Sequence, residues 1–182
     1  MLSKKNIAAC LAITLFSSAN LPAKTTKKAP NERALPLKVE ADSAVYTDVT
    51  QTSLFKGRVI LIQGSMKIEA DNVETIVDPE GYQYATATMN GNSLVKFEQK
   101  RQGTNEIIKG QGKVLIYDGK QNLVQFSQTA QMRRLGANGN LLDKLDGDEL
   151  VYNQLTELFE SHALPGGTGR TRMIITPNTQ SK

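Results

Sequence analysis

Three places in the sequence hold residues whose types could do chemistry. His162 follows Ser161, just ahead of Pro165-Gly166-Gly167, and it is the only histidine. A Ser/His/Asp mechanism would rest on it alone. Its neighbours supply no third member and favour an exposed loop histidine. Gly166-Gly167-Thr168-Gly169-Arg170 has the glycines of a phosphate loop but lacks the Lys-Ser/Thr and the following helix. Asp143, Asp146, Asp148 and Glu149 gather carboxylates without the spacing of a calcium loop. They read as a solvated turn, and nothing in their spacing selects a glycosidase pair. The single cysteine, Cys10, excludes a disulfide within the chain and leaves a Cys/His zinc site unsupported. The expectation is a protein that is not an enzyme and uses no cofactor or metal.

With chemistry unsupported, the elements carry the argument. The 182 residues allow one domain, or two small ones. No run of about 18 apolar residues predicts a membrane-spanning helix. Lys4 and Lys5 precede the apolar stretch Ile7 to Phe16, and small residues follow, Ser17-Ser18-Ala19 and Leu21-Pro22-Ala23. That order predicts a secretory signal peptide over residues 1–23, cut after Ala23, with Ala19 as the alternative site. An uncleaved anchor is the competing reading. A lipoprotein reading of Ile7-Ala8-Ala9-Cys10 is weaker, because only three apolar residues precede the cysteine. Cleavage removes Cys10 and two lysines. The 20 remaining basic residues face 18 acidic ones, so a nucleic-acid partner is not expected. The division predicted is a flexible lead over 24–34, a domain over 35–176 and a disordered tail over 177–182.

The body reads as strands. Leu37, Val39 and Ala41 alternate with Lys38, Glu40 and Asp42. Met66, Ile68 and Ala70 alternate with Lys67, Glu69 and Asp71, and Val95 and Phe97 with Lys96 and Glu98. Period two puts each set on one face of a strand. All 14 glycines lie between Gly57 and Gly169, and Pro79 is the only proline between Leu37 and Leu164. Proline cannot donate to a ladder, so the strand interiors stay usable. Asp78-Pro79-Glu80-Gly81, Asn90-Gly91, Asp118-Gly119 and Asn138-Gly139 signal turns. The pattern predicts an all-β barrel or sandwich. Leu150, Val151, Leu155, Leu158 and Phe159 fit helical spacing over 149–160, but Asn153-Gln154 can turn a hairpin there, and strands are the reading taken.

The chain also repeats itself. Ala41, Tyr46 and Phe55 find counterparts in Gly112, Tyr117 and Phe126, each 71 residues on. Ala70-Asp71 corresponds to Gly147-Asp148 at an offset of 77, which places six extra residues in Arg133 to Asn140. Two tandem meanders would stack and bury one core. Val59-Ile60-Leu61-Ile62, Val114-Leu115-Ile116 and Met173-Ile174-Ile175 do not alternate, as if apolar on both faces. They suggest an apolar interior open to an acyl ligand, or edges that pair with partners.

The stretch Phe55-Lys56-Gly57 through Val59-Ile60-Leu61-Ile62-Gln63-Gly64 to Ala70-Asp71 resembles the signature of the OstA-like (LptA) family of periplasmic lipopolysaccharide transport proteins. Pro36 to Asp42 is similar to that family's first strand. Gly110-Gln111-Gly112 through Tyr117, and Leu145 through Tyr152, are similar to its later half. The resemblance covers roughly Leu35 to Ser161. It implies a twisted, partly open antiparallel β-jellyroll in the periplasm. It implies units that stack head to tail through strand pairing and bridge an inner-membrane-anchored, LptC-like component and an outer-membrane, LptD-like translocon. The ligand implied is lipopolysaccharide. Parity then selects Leu37, Val39, Val59, Leu61, Met66, Ile68, Val95, Phe97, Leu115 and Tyr117 as the groove for its acyl chains. Leu37, Lys38 and Val39 form one partner edge, and Arg172, Met173, Ile174 and Ile175 the other. Two other functions are weighed: the anchored component of the same pathway, and a periplasmic carbohydrate-active enzyme.

Overall fold

The computed structural model describes residues 32, 35–167 and 169–177. The expected signal peptide, all of the lead except Glu32, and the tail beyond Pro177 lie outside them. No described residue is α-helical. Twelve strands follow in order: β1 (Lys38–Glu40), β2 (Ser43–Thr47), β3 (Thr52–Gln63), β4 (Met66–Val77), β5 (Gln83–Thr88), β6 (Val95–Lys100), β7 (Ile107–Gly112), β8 (Val114–Asp118), β9 (Leu123–Leu135), β10 (Leu141–Asn153), β11 (Leu158–His162) and β12 (Arg172–Ile175). The segment with helical spacing forms the end of β10 and the start of β11, joined by a turn at 154–157.

Every pairing is antiparallel, and four long strands build two leaves from one sheet. β3 pairs with β2 through Thr52–Lys56 and with β1 through Ile60–Ile62. β4 pairs with β6 through Lys67–Glu69 and with β5 through Asn72–Val77. β9 and β10 divide their lengths in the same way between β8 and β7, and between β11 and β12. The first leaf therefore holds β2, β5, β8 and β11 beside one half of each long strand. The second holds β1, β6, β7 and β12 beside the other halves. Bulges mark the crease between leaves. The β3–β4 register shifts between Lys56 and Val59, and the β9–β10 register between Gly147 and Glu149.

The two halves of the chain share one topology. In each, strands one and two pair with three, three with four, and four with five and six; β5–β8 and β6–β7 join the halves. The offset of 71 carries Gly57 (φ 79°) and Arg58 (φ 48°) onto Gln128 (φ 59°) and Thr129 (φ 66°). It also carries the hydrogen bond from Asp42 N to Gly57 O (2.9 Å) onto that from Lys113 N to Gln128 O (3.0 Å). The bond from Val77 N to Gln51 O becomes Gln154 N to Asn122 O, with the strand-four member shifted by 77. The added residues fall at the β9–β10 hairpin: Gly64-Ser65 joins β3 to β4, whereas residues 136–140 join β9 to β10.

One core fills the space between leaves, and its largest fully buried side chains include Phe97, Phe126, Leu61, Ile68 and Ile108. Three local expectations need correction. The carboxylate cluster is not a turn: Asp143, Asp146, Asp148 and Glu149 all lie in β10. Asp148 is buried and accepts the Gly169 backbone N–H at 2.8 Å. His162 is exposed, as expected, but ends β11 rather than sitting in a loop. Met173-Ile174-Ile175 is not covered on both faces; all three residues are exposed on β12, an edge strand, in keeping with the edge reading also taken for them.

Candidate ligand trough between the two leaves

Alternation aims one side of every strand except β2 and β12 at the space between leaves. Val59, Leu61, Met66, Ile68, Val95, Phe97, Leu115 and Tyr117 are all buried there, and Leu37 and Val39 pack half-buried against the same cluster. The parity expected from the sequence is the parity found, including the two runs that do not alternate. Ile62 and Ile116 point outward and are half-exposed. Ile62 lies between Lys38 of β1 and Lys67 of β4, whose aliphatic stems flank it. At mid-length the interior is plugged. The Phe97 and Phe126 rings meet edge to face, 5.6 Å apart, across the two leaves. Phe126 also fills the space a Cβ on Gly110 would need, with ring atoms 2.3 Å from that point.

The interior reaches the surface where each leaf ends. At one end β1 and β2 both pair only with β3; at the other β11 and β12 both pair only with β10. The predicted partner residues Leu37, Lys38 and Val39 lie on or beside β1, and Arg172 to Ile175 form β12. The sequence reasoning missed β2 and β11 as the companion edges. β2 is exposed along its whole length, Val45 and Tyr46 included. Between β11 and β12, Phe159, Leu145 and Met173 line a small cavity of about 40 Å³. Phe159 stacks on Tyr152 at 4.6 Å, and burial pushes the Tyr152 phenol up from its ordinary pKa. A larger cavity, about 890 Å³, lies outside the trough and has mixed walls, with Gln131, Lys144, Asp148 and Arg170 beside Leu164 and Pro165 in its lining.

The sequence profile described as "LptA/(LptD N-terminal domain) LPS transport protein" matches residues 38–158, from the start of β1 to the start of β11. The chain belongs to that family. The lipopolysaccharide export system protein LptH of Pseudomonas aeruginosa is 25% identical over 158 residues, covering 84% of this chain and 86% of LptH. The crystal structure of LptH, described as the LptA-homologous periplasmic component of a lipopolysaccharide transport device, superposes with a TM-score of 0.71. That match covers 81% of this chain and all of the LptH chain, at 25% identity. The LptA family fold is thus the jellyroll described above.

In this LptA-family chain the leaves also touch on the side away from the crease, where the strand-end turns of both leaves line a mouth. The Gln63 amide at the end of β3 donates to Gln83 Oε1 on β5, at 3.2 Å. The Gln154 amide, after β10, donates to Gln99 Oε1 on β6, at 2.7 Å. Arg101, after β6, pairs with Glu157 in the β10–β11 turn. The hydrogen bond from Arg101 holds the Glu157 carboxyl below its ordinary pKa, and the same contact raises the Arg101 pKa. Arg101 and Arg134 both bind Glu106, and Arg134 also binds Asp143. Sequence reasoning named Asp143 only in a carboxylate cluster, Gln154 only in a turn and Gln63 only in the family signature, and foresaw none of these contacts. Their partners lie 20, 55 and 56 residues apart, beyond any local pattern.

Proposed function

We propose that this protein carries lipopolysaccharide across the periplasm as one segment of a bridge between the inner and outer membranes. The observation that carries the reading is the single apolar interior, which runs between the leaves from β1–β2 to β11–β12. Acyl chains crossing water exposed would cost ~0.8 kcal/mol per CH₂. Leu37, Val39, Val59, Leu61, Met66, Ile68, Val95, Phe97, Leu115 and Tyr117 shield them, while the sugar head stays in solvent. The edges carry unpaired N–H and C=O groups that template a further strand. β1 with Leu37, Lys38 and Val39, and β12 with Arg172, Met173, Ile174 and Ile175, pair head to tail with further copies, with an LptC-like anchored component and with an LptD-like translocon. The family supports this role, as does the likeness to LptH, a lipopolysaccharide export protein. No bond is made or broken, so the protein is not an enzyme, and residues 1–23 are the cleaved export signal. Purification of the mature chain from cells that make lipopolysaccharide tests the reading. Lipopolysaccharide is expected to co-isolate. Failure to co-isolate it, with no binding when it is added back, would contradict the proposal.

A further inference from the structure

The interior is packed, so acyl chains enter only where the leaves separate. The crease cannot separate, because β3, β4, β9 and β10 run through it. The mouth lies opposite, and three side-chain contacts cross it: Gln63 to Gln83, Gln154 to Gln99, and Arg101 to Glu157. Behind them lie Met66, which also meets the Gln154 amide at 3.9 Å, and the core. Gln63 is only 4% exposed, and its amide also donates to Leu35 O at 3.1 Å, so it keeps a partner when it parts from Gln83.

We propose that these three contacts are a latch, which holds the trough shut when empty and parts along the mouth to admit an acyl chain. The inference rests on the lipopolysaccharide reading and adds the entry route and the residues that guard it. The chemistry of the contacts suits the task. An amide carries both a donor and an acceptor, so each parted glutamine can pair again with the amide, ester or hydroxyl groups where acyl chains join a sugar head. The partly exposed Arg101–Glu157 pair can exchange its partner for water. The motion has a hinge as well. Gly57-Arg58 and Gln128-Thr129 hold left-handed backbone at the two bulges of the crease, where the ladder is already interrupted. Opening the mouth also draws Phe126 away from Gly110, which unplugs the middle of the interior.

The test uses the mature chain, which has no cysteine of its own once residues 1–23 are removed. Gln99→Cys and Gln154→Cys are joined by a short reducible bis-thiosulfonate linker. Binding is followed with rough-type lipopolysaccharide and with a dansyl fatty acid. The linked protein is expected to take up both probes at least tenfold more slowly, and reductant is expected to restore the rate. A second variant, Gln154→Ala with Glu157→Gln, is expected to take them up severalfold faster than the unaltered chain, at unchanged circular dichroism. Equal uptake by linked and reduced protein would overturn the latch alone and place entry at the ends of the trough. Failure of the unlinked protein to bind lipopolysaccharide would overturn the transport reading and the latch with it.

Discussion

The first half of the molecule, β1 to β6, and the second, β7 to β12, are built on one backbone plan with different side chains. At the crease the first half holds its left-handed pair with Gly57 and Arg58, and an added Cβ on Gly57 would meet the Asp42 side chain. The second half holds the same conformation with Gln128 and the β-branched Thr129. Phe55 is half-buried near the β1–β2 end, whereas its counterpart Phe126 is fully buried in the middle. Gln63 closes the mouth with a neutral amide; Arg134, 71 residues on, belongs to an ionic cluster with Glu106 and Asp143. The backbone pattern therefore tolerates exchange of side-chain chemistry so long as alternation and the two bulges survive. The side chains then record position: the second strand-three lies in the centre of the molecule, the first near an edge.

Five substitutions break or sharpen that contrast. Phe126→Ala empties a fully buried aromatic site and is expected to cost ~3–5 kcal/mol in urea unfolding. Phe55→Ala should cost less than half as much, because its site is already half-open. Equal costs would contradict the assignment of centre and edge. Gly110→Val gives the second half the residue the first has at Val39. The new side chain meets the Phe126 ring, so a loss of ~1–3 kcal/mol from overpacking is expected in the same measurement. Thr129→Gly relieves a left-handed conformation that costs ~1–2 kcal/mol for a residue with a Cβ. Set against the greater freedom of glycine in the unfolded chain, ~0.4–1 kcal/mol, a net gain of about 0.5–1 kcal/mol is expected. Gly57→Ala should lose stability.

The smallest effect concerns the outer face. Lys109, Arg133 and Lys144 sit directly opposite one another on β7, β9 and β10. The matching row of the first half is Lys38, Ile62 and Lys67. Like charges opposite each other destabilise by ~0.2–1 kcal/mol. Arg133→Ile should therefore raise the unfolding midpoint slightly at low salt, with the gain shrinking at high salt. No change at either salt concentration would show that the row carries no strain.

Much of this was legible in the sequence because period two and turn chemistry are local. The buried set followed from parity at Met66–Asp71 and Val95–Glu98, where a polar residue flanks each apolar one. The repeat followed from the spacing of Tyr46 and Tyr117, and of Phe55 and Phe126. Three features were not legible. Met173-Ile174-Ile175 left two readings open, since hydropathy does not distinguish a strand covered on both faces from an edge awaiting a partner; only the resemblance favoured the edge. Asp143 to Glu149 reads as a turn, because the pairing of Asp143 with Arg134 and the loop that Asp148 ties down depend on the fold. The mouth contacts left no signal, since a glutamine in a strand looks the same whether it faces water or another leaf.

The central claim is that acyl chains travel between the leaves and not over them. A photo-crosslinking residue placed in living cells tests it directly, with Phe97 and Leu37 as inward positions and Lys96 and Lys38 as their outward neighbours. Lipopolysaccharide is expected on the crosslinker at Phe97 and Leu37 and not at Lys96 or Lys38. Equal capture on both faces, or capture on neither, would contradict the claim and leave a β scaffold that only pairs with partners.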